Sequence, residues 1–255
     1  MDPLTQGLLG AALPQALSKA STIRHATWLG VLGGMAPDLD IFIRSSSDPL
    51  MAIQYHRHFT HSLLFIPVGG AIVAVFCWLM VRRKLGFGEV YRWTTVGYAT
   101  HALLDACTSY GTLLLWPFSD LRVAWNNVAV IDFTVTLPLA VLVTLAWRKR
   151  RRMFALIGLG FVLAYLLLGL VQRDRAEAAL AEVAASRGHV AVTRLTAKPT
   201  LFNNVLFRGI YQHKDRFYVD GIRVGLFGGT QIFEGDATAV VRREERLPDL
   251  DPDSL

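Results

Sequence analysis

The chain has 255 residues, of which 53% are hydrophobic and 18% are charged, and its formal net charge is +6. Soluble domains carry about 25% charged residues, so the composition favours a membrane protein over an ordinary soluble domain. Much of the excess positive charge falls in two clusters, 82–84 and 148–152, each directly after an apolar segment, as is typical of membrane topology signals. Since no basic stripe with interleaved aromatic residues is present, we expect no nucleic-acid partner.

The first two apolar segments, 4–17 and 25–35, are short and rich in Gly and Ala. A membrane-spanning helix needs about 20 apolar residues, so these segments predict short, re-entrant or tightly packed helices. A Pro-Asp-Leu-Asp motif follows them and supplies two carboxylates, Asp38 and Asp40, at the spacing of a bent loop.

Four later segments are long enough to cross a bilayer. They are 62–81, 93–115, 128–147 and 153–171. The fold class predicted from these segments is an all-α multi-pass membrane bundle, with about four spanning helices plus the short N-terminal helices.

The composition changes after residue 171, which predicts two domains. Residues 1–171 form a membrane-embedded domain, and 172–255 form a small soluble domain of mixed helix and β-hairpin. The helix is expected over 172–187 and the hairpin turn near Lys214.

The basic clusters are expected on the cytoplasmic side of the inner (plasma) membrane, by the positive-inside rule. Segment 62–81 then runs from outside to inside, and 153–171 runs from inside to outside. The polar groups that precede the first segment, and the C-terminal domain that follows the last, are therefore predicted to be extracytoplasmic. Membrane lipids are the partners that this placement implies.

His101 and Asp105 lie inside the otherwise apolar segment 93–115. An Asp near the centre of a membrane helix costs about 2.5–3.5 kcal/mol, so such residues usually have a function. The i,i+4 spacing places both side chains on one helix face, where they can bind one ion. We interpret the pair as part of a metal site.

A second polar cluster, His56-Arg57-His58-Phe59-Thr60-His61-Ser62, precedes the first long segment. Together with Asp38, Asp40, His101 and Asp105, it predicts a site for a divalent metal, with His56 and His61 as ligands. His58 is either a ligand or an interfacial residue. Arg57 binds either a substrate phosphate or lipid headgroups, and Thr60 either caps a helix or supports a ligand. Asp132 is either a ligand or the hydrogen-bonded first residue of a helix.

The motifs together resemble the YdjM-like family of membrane-bound metal-dependent hydrolases. The residues that carry the resemblance are MDPLTQGLLGAALPQ, APDLD, HRHFTHS, HALLDACTSYG and a later IDF, in order over about 1–170. The resemblance implies that Asp38, Asp40, His56, His61, His101 and Asp105 are metal-site positions. Many relatives carry Thr-His near the N-terminus, whereas this chain has Thr5-Gln6, and glutamine is a poorer metal ligand.

The function that the resemblance implies is hydrolysis of a phosphoester or a lipid-linked substrate by a water that a divalent metal, Zn²⁺, activates. Asp38, Asp40 or Asp105 would act as a ligand, a bridging group or a general base. Two alternatives stay open. Intramembrane His and Asp residues also mark transporters of metal ions or protons, and a metal can simply hold helices together in a structural or assembly factor.

Overall fold

The computed structural model describes residues 1–48 and 50–241 and divides the chain into two compact units. The first unit contains Met1–Val171 and Leu201–Asn204, and the second contains Gln172–Thr200 and the chain from Val205 onward. Residues 242–255, the end of the predicted C-terminal domain, lie outside the described residues.

The described helices run in the following order: α1 Pro3–Leu17, α2 Ile23–Met35, α3 Met51–Tyr55, α4 Ile66–Val81, α5 Phe87–Ala106, α6 Phe133–Lys149 and α7 Arg152–Ser186. Three short 3-10 helices lie between them, Ala36–Phe42, Phe59–His61 and Leu63–Phe65. The strands are β1 Val192–Pro199, β2 Leu206–His213, β3 Arg216–Val224, β4 Thr230–Phe233 and β5 Ala237–Ala239.

Helices α1 and α2, of 15 and 13 residues, pack against each other at glycine contacts. A Cβ atom on Gly10 would lie only 2.6 Å from the carbonyl oxygen of Gly30 and 2.8 Å from Cα of Gly34. Gly30 also meets α5, where a Cβ atom on Gly97 would lie 2.8 Å from Cα of Gly30. Small residues at such contacts let helix backbones approach closely. This close approach brings the end of α2 next to the polar end of α5.

The prediction of a four-span bundle is wrong. Among the described residues, two helices are long and apolar enough to cross a membrane, Leu63–Val81 and Arg152–Ser186. These correspond to the first and last of the predicted segments.

The segment predicted as the second span is a core helix. Helix α5 has 20 residues, of which 11 are buried, and it carries polar residues along its length. It ends at Ala106, well before the predicted end at 115. Its apolar residues therefore pack mainly inside the protein, which the hydropathy of the sequence could not distinguish from contact with lipid.

The segment predicted as the third span is shortened by its own carboxylate. Asp132 accepts a hydrogen bond from the backbone N–H of Thr134 at 3.0 Å and is the N-cap of α6. Tyr165 donates a hydrogen bond of 2.6 Å to the other carboxylate oxygen. Because the cap fixes the start of the helix, α6 has 17 residues. It is not one of the described helices that are long and apolar enough to cross a membrane.

The second unit contains more sheet than the single hairpin that the sequence predicts. Its five strands form an antiparallel sheet in the order β1-β2-β3-β4, with β5 paired to β3. Leu180 of α7 packs in one core cluster with Phe207, Tyr211 and Ile222 of the sheet. The correction to the predicted fold class is therefore twofold, since both the number of spans and the extent of β structure differ.

Candidate metal centre

The segment 56–61 folds around one carboxylate, that of Asp40. The backbone N–H of Arg57 and the hydroxyl of Thr60 each donate to Asp40 Oδ2 at 2.9 Å, and His56 Nδ1 lies 2.8 Å from Oδ1. Arg57 has a φ of 61°, a left-handed conformation that non-glycine residues rarely adopt. The turn that it makes leads directly into the 3-10 helix Phe59–His61, which carries His61 into the interior.

Helix α5 supplies the other histidine and a second carboxylate from one face. His101 and Asp105 are one turn apart, and both are fully buried. His101 Nδ1 lies 2.6 Å from the carbonyl oxygen of Gly34, which accepts its hydrogen. The ring is thereby held with Nε2 directed away from α2, and the proton on Nδ1 leaves Nε2 free to act as a ligand.

Four ionisable side chains converge at this point. One ligand atom from each of Asp38, His61, His101 and Asp105 lies within 4.8 Å of all the others. The two Nε2 atoms are 3.0 Å apart, and Asp38 Oδ1 lies 3.3 Å from His101 Nε2 and 3.7 Å from His61 Nε2. Asp105 Oδ2 lies 3.5 Å from His61 Nε2 and 3.9 Å from His101 Nε2. We refer to these four residues as the His/Asp cluster.

The spacing within the His/Asp cluster suits one metal ion. Ligand atoms about 2.0–2.2 Å from a tetrahedral ion lie about 3.3–3.6 Å from one another, close to the measured separations. Two imidazole nitrogens and two carboxylate oxygens are donors that a divalent ion such as Zn²⁺ binds, and all of these side chains except Asp38 are fully buried. The residues present therefore fit a divalent ion.

Asp38 and Asp40 lie on opposite sides of the His61 ring. Asp38 is near Nε2, whereas Asp40 Oδ2 is 3.3 Å from Nδ1. The 3-10 helix Ala36–Phe42 has about three residues per turn, so positions two apart point in different directions. Asp38 therefore joins the His/Asp cluster, while Asp40 holds the far side of the imidazole.

The charges around His61 favour its protonated form while no metal is bound. Burial lowers the pKa of His61, but its hydrogen bonds with Asp105, Asp38 and Asp40 outweigh burial and raise the pKa to about 10. Burial likewise raises the pKa values of Asp38 and Asp40, yet the neighbouring histidines hold both well below their usual range. A metal ion binding at the His/Asp cluster must therefore displace a proton from His61.

Asp105 also contacts cationic and polar groups other than the two histidines. Its Oδ1 atom accepts a hydrogen bond from Gln6 Nε2 at 2.7 Å and contacts the α-amino group of Met1. Its Oδ2 atom lies 2.9 Å from Arg57 Nε. Arg57 also donates from Nη1 to the Thr108 hydroxyl at 2.8 Å, so its side chain is held beside the His/Asp cluster.

The structure leaves several predicted site residues outside the His/Asp cluster. His56 bonds to Asp40 and has 38% of its side chain exposed. His58 packs against aromatic rings, with centroids 5.4 Å from Tyr55 and 5.5 Å from Trp116. Burial, followed by the charge of Arg122, lowers the pKa of His58. Asp132 caps α6, and Thr60 and Arg57 bond to carboxylates without belonging to the group of four.

Sequence reasoning missed several contributors to the site, two of which fix the positions of the histidines. The carbonyl of Gly34 orients His101, and no side-chain pattern could reveal a backbone acceptor. Tyr98 donates a hydrogen bond of 2.7 Å to the carbonyl of Thr60 and thereby ties α5 to the turn before His61. The only available signal was the position of Tyr98 one turn before His101, on the polar part of α5.

The first unit is thus a helical assembly with two apolar helices and a buried His/Asp cluster that could hold a metal ion, as in a membrane protein with an internal metal site. The family described as YdjM inner membrane protein matches residues 1–176, and this chain belongs to that family. The resemblance seen in the sequence motifs is therefore confirmed.

Two curated relatives are similar to parts of the chain. The inner membrane protein YbcI of Escherichia coli (strain K12) is 32% identical over 113 residues, which are 42% of this chain and 63% of YbcI. The uncharacterized protein YfhP of Bacillus subtilis (strain 168) is 27% identical over 139 residues, 52% of this chain and 42% of YfhP. The chain thus spans about half the length of these relatives. No solved structure matches it.

Proposed function

We propose that this protein is a membrane-bound hydrolase that binds Zn²⁺ at the His/Asp cluster and acts on a phosphoester or lipid-linked substrate. The observation that carries the proposal is the convergence of two imidazole nitrogens and two carboxylate oxygens in one buried place. His101 Nδ1 donates to the carbonyl of Gly34, and His61 Nδ1 lies 3.0 Å from the Thr60 hydroxyl and 3.3 Å from Asp40 Oδ2. Nitrogen and oxygen ligands with such supporting acceptors are typical of zinc sites.

A zinc ion bound here would lower the pKa of a water molecule towards about 7 and polarise the oxygen of the scissile group. The residues of the site have separate roles in metal binding and proton transfer. His61, His101 and Asp105 would hold the ion, and Asp105 stays ionised beside Arg57. Asp38 is the one member of the His/Asp cluster with an exposed side chain, 19%, so it borders the side from which water and substrate arrive. We assign it the acceptance of the proton from the attacking water.

Asp40 is a poor choice for that base. Both of its carboxylate oxygens already accept or approach donors from His56, Arg57, Thr60 and His61. Its role in the proposal is to orient His61 and to increase the basicity of that ring.

Transport of a metal ion or proton is the less favoured function. A transport pathway needs polar groups distributed across the membrane. The ionisable residues instead gather at one site, and the candidate span Leu63–Val81 contains no ionisable side chain except Cys77. This arrangement favours chemistry at one site.

The proposal is tested with the purified full chain in detergent, using bis(4-nitrophenyl) phosphate and phosphatidic acid as substrates. We expect hydrolysis that chelation abolishes and added Zn²⁺ restores, and a loss of about 100-fold or more in His61→Ala, because metal-activated water supplies most of such a rate. His25→Ala, which changes a histidine remote from the His/Asp cluster in sequence, is the matched control.

Two results would contradict hydrolysis. Zinc-dependent uptake into proteoliposomes by a protein that cleaves neither substrate would establish transport. In the second result, the protein loses thermal stability on chelation while it neither cleaves the two substrates nor transports zinc. That result would show a metal that only stabilises the fold.

We also propose that the site and the second unit face the extracytoplasmic side. The basic residues 82–84 follow the candidate span Leu63–Val81, and the basic cluster 148–152 ends at the first residue of the other candidate span, so both ends are expected in the cytoplasm. His61, at the opposite end of the first span, is then external. A reporter fused after Lys84 should behave as cytoplasmic and one fused after Leu255 as external; the reverse pattern would contradict the orientation.

A further inference from the structure

A cavity of about 610 Å³ lies beside the His/Asp cluster in the first unit. Cationic and apolar side chains line its wall together, among them Ile41, Ile53, His56, Arg57, Tyr110 and Arg122. Cavities of this size are typical of sites for small organic ligands.

The cavity is joined to the metal centre through two of its wall residues. Arg57 Nε lies 2.9 Å from Asp105 Oδ2, and His56 Nδ1 lies 2.8 Å from Asp40 Oδ1. A ligand in the cavity that touches Arg57 is therefore one side chain away from a carboxylate of the His/Asp cluster.

The polar part of the wall suits an anion. Arg57 is 5% exposed, and its guanidinium group is held over the ring of Tyr110, 5.1 Å from the centroid. Arg122 comes from the loop after α5 and is anchored by a hydrogen bond of 3.1 Å from Nη2 to the carbonyl of Gln54. Guanidinium groups bind phosphate through paired, charge-assisted hydrogen bonds, and two of them on one cavity favour that ligand.

The rest of the wall suits an apolar group. Ile41, Ile53 and Tyr110 are 51%, 72% and 70% exposed, respectively. Large apolar side chains exposed together beside a cationic pocket mark a surface that an apolar ligand would cover. A ligand that satisfies both parts of the cavity is an amphiphile with an anionic head.

We infer that this cavity is the substrate site of the proposed hydrolase and that it binds an amphiphilic phosphoester. The phosphate lies against Arg57 and Arg122, and the apolar substituent packs on Ile41, Ile53 and Tyr110. That the bound ligand is hydrolysed rests on the proposed function, but binding in the cavity can be measured without any hydrolysis. Arg122 is then a specificity determinant that lies outside the metal centre.

The experiment measures binding by calorimetry, using the full chain in detergent before and after chelation. The probes are hexyl phosphate, inorganic phosphate, hexanoate and hexanol. We expect hexyl phosphate to bind about tenfold more tightly than inorganic phosphate, because the alkyl group leaves water. In Arg122→Gln, the affinity for hexyl phosphate should fall about tenfold with no change in zinc content, since one charged contact is lost.

Two further variants make the result specific. Ile53→Gln should reduce the ratio of the affinity for hexyl phosphate to the affinity for inorganic phosphate. Arg208→Gln, which removes an exposed arginine of the second unit, should leave both affinities unchanged. Equal binding of hexyl phosphate by wild type and Arg122→Gln would overturn the inference. Tighter binding of hexanoate or hexanol would overturn the assignment of a phosphate.

The two proposals fail in different ways. Zinc-dependent hydrolysis that is indifferent to Arg122 and Ile53 would remove the cavity from the reaction and leave the hydrolase. Binding of hexyl phosphate that depends on Arg122, in a protein that hydrolyses nothing, would overturn the cavity's role as a substrate site together with the hydrolase.

Discussion

Replacing His101 with alanine is expected to reduce the bound metal of the purified protein from about one equivalent to a small fraction of one. The substitution removes one of two imidazole ligands from a cluster of four donors. Since Asp38 is assigned to the attacking water, only His61 and Asp105 would remain as ligands, whereas a catalytic zinc ion has three protein ligands and an open position for water. Elemental analysis of protein purified without added metal measures the effect directly.

The control for this prediction is His25→Ala. His25 is also a histidine of the first unit, but it lies in α2 outside the His/Asp cluster. This variant should retain the wild-type metal content. A wild-type protein that takes up no metal, or a His101→Ala protein that retains all of it, would show that the convergence of side chains does not correspond to a metal site.

Replacing Asp40 with alanine is expected to weaken metal binding by about 10–100-fold without changing the number of ions bound at saturation. Asp40 Oδ2 lies 3.3 Å from His61 Nδ1 on the side away from the His/Asp cluster. Its loss would release the orientation of the ring, and it would also leave the Arg57 N–H and the Thr60 hydroxyl without their acceptor. Competition with a zinc-sensitive dye measures the affinity.

Two comparisons separate positioning from direct ligation. Asp236→Ala, which removes an exposed carboxylate of the second unit, should leave the affinity unchanged. Asp105→Ala should reduce the number of ions bound, because Asp105 belongs to the His/Asp cluster and is assigned as a ligand. Loss of stoichiometry in Asp40→Ala, even at saturating zinc, would mean that Asp40 is a ligand and that its assignment as a positioning residue is wrong.

Two of the four predicted spans coincide with helices that are long and apolar enough to cross a membrane. The helices at Leu63–Val81 and Arg152–Ser186 lie at the first and last predicted spans because few polar residues interrupt either segment. The prediction failed at α5, where 11 of 20 residues are buried against the rest of the protein, and at α6, whose start is set by the cap on Asp132. Hydropathy counts apolar residues but does not say whether protein or lipid covers them.

The spacing of residues along the chain predicts part of the metal site. His101 and Asp105 share a helix face because any α-helix places positions i and i+4 together. The choice between Asp38 and Asp40 could not be made in the same way. It depends on a 3-10 turn and on the side from which His61 approaches, and both depend on packing between distant segments.

The sequence by itself determined the types of donor, the pair on α5 and the two most apolar helices, because these depend on neighbours along the chain. Only the tertiary structure decided that four donors from three segments meet, that Gly34 orients His101, and that Arg57 and Arg122 share one cavity. Such contacts join residues far apart in sequence. Their geometry follows from how closely α1, α2 and α5 pack at their glycines, which local spacing does not specify.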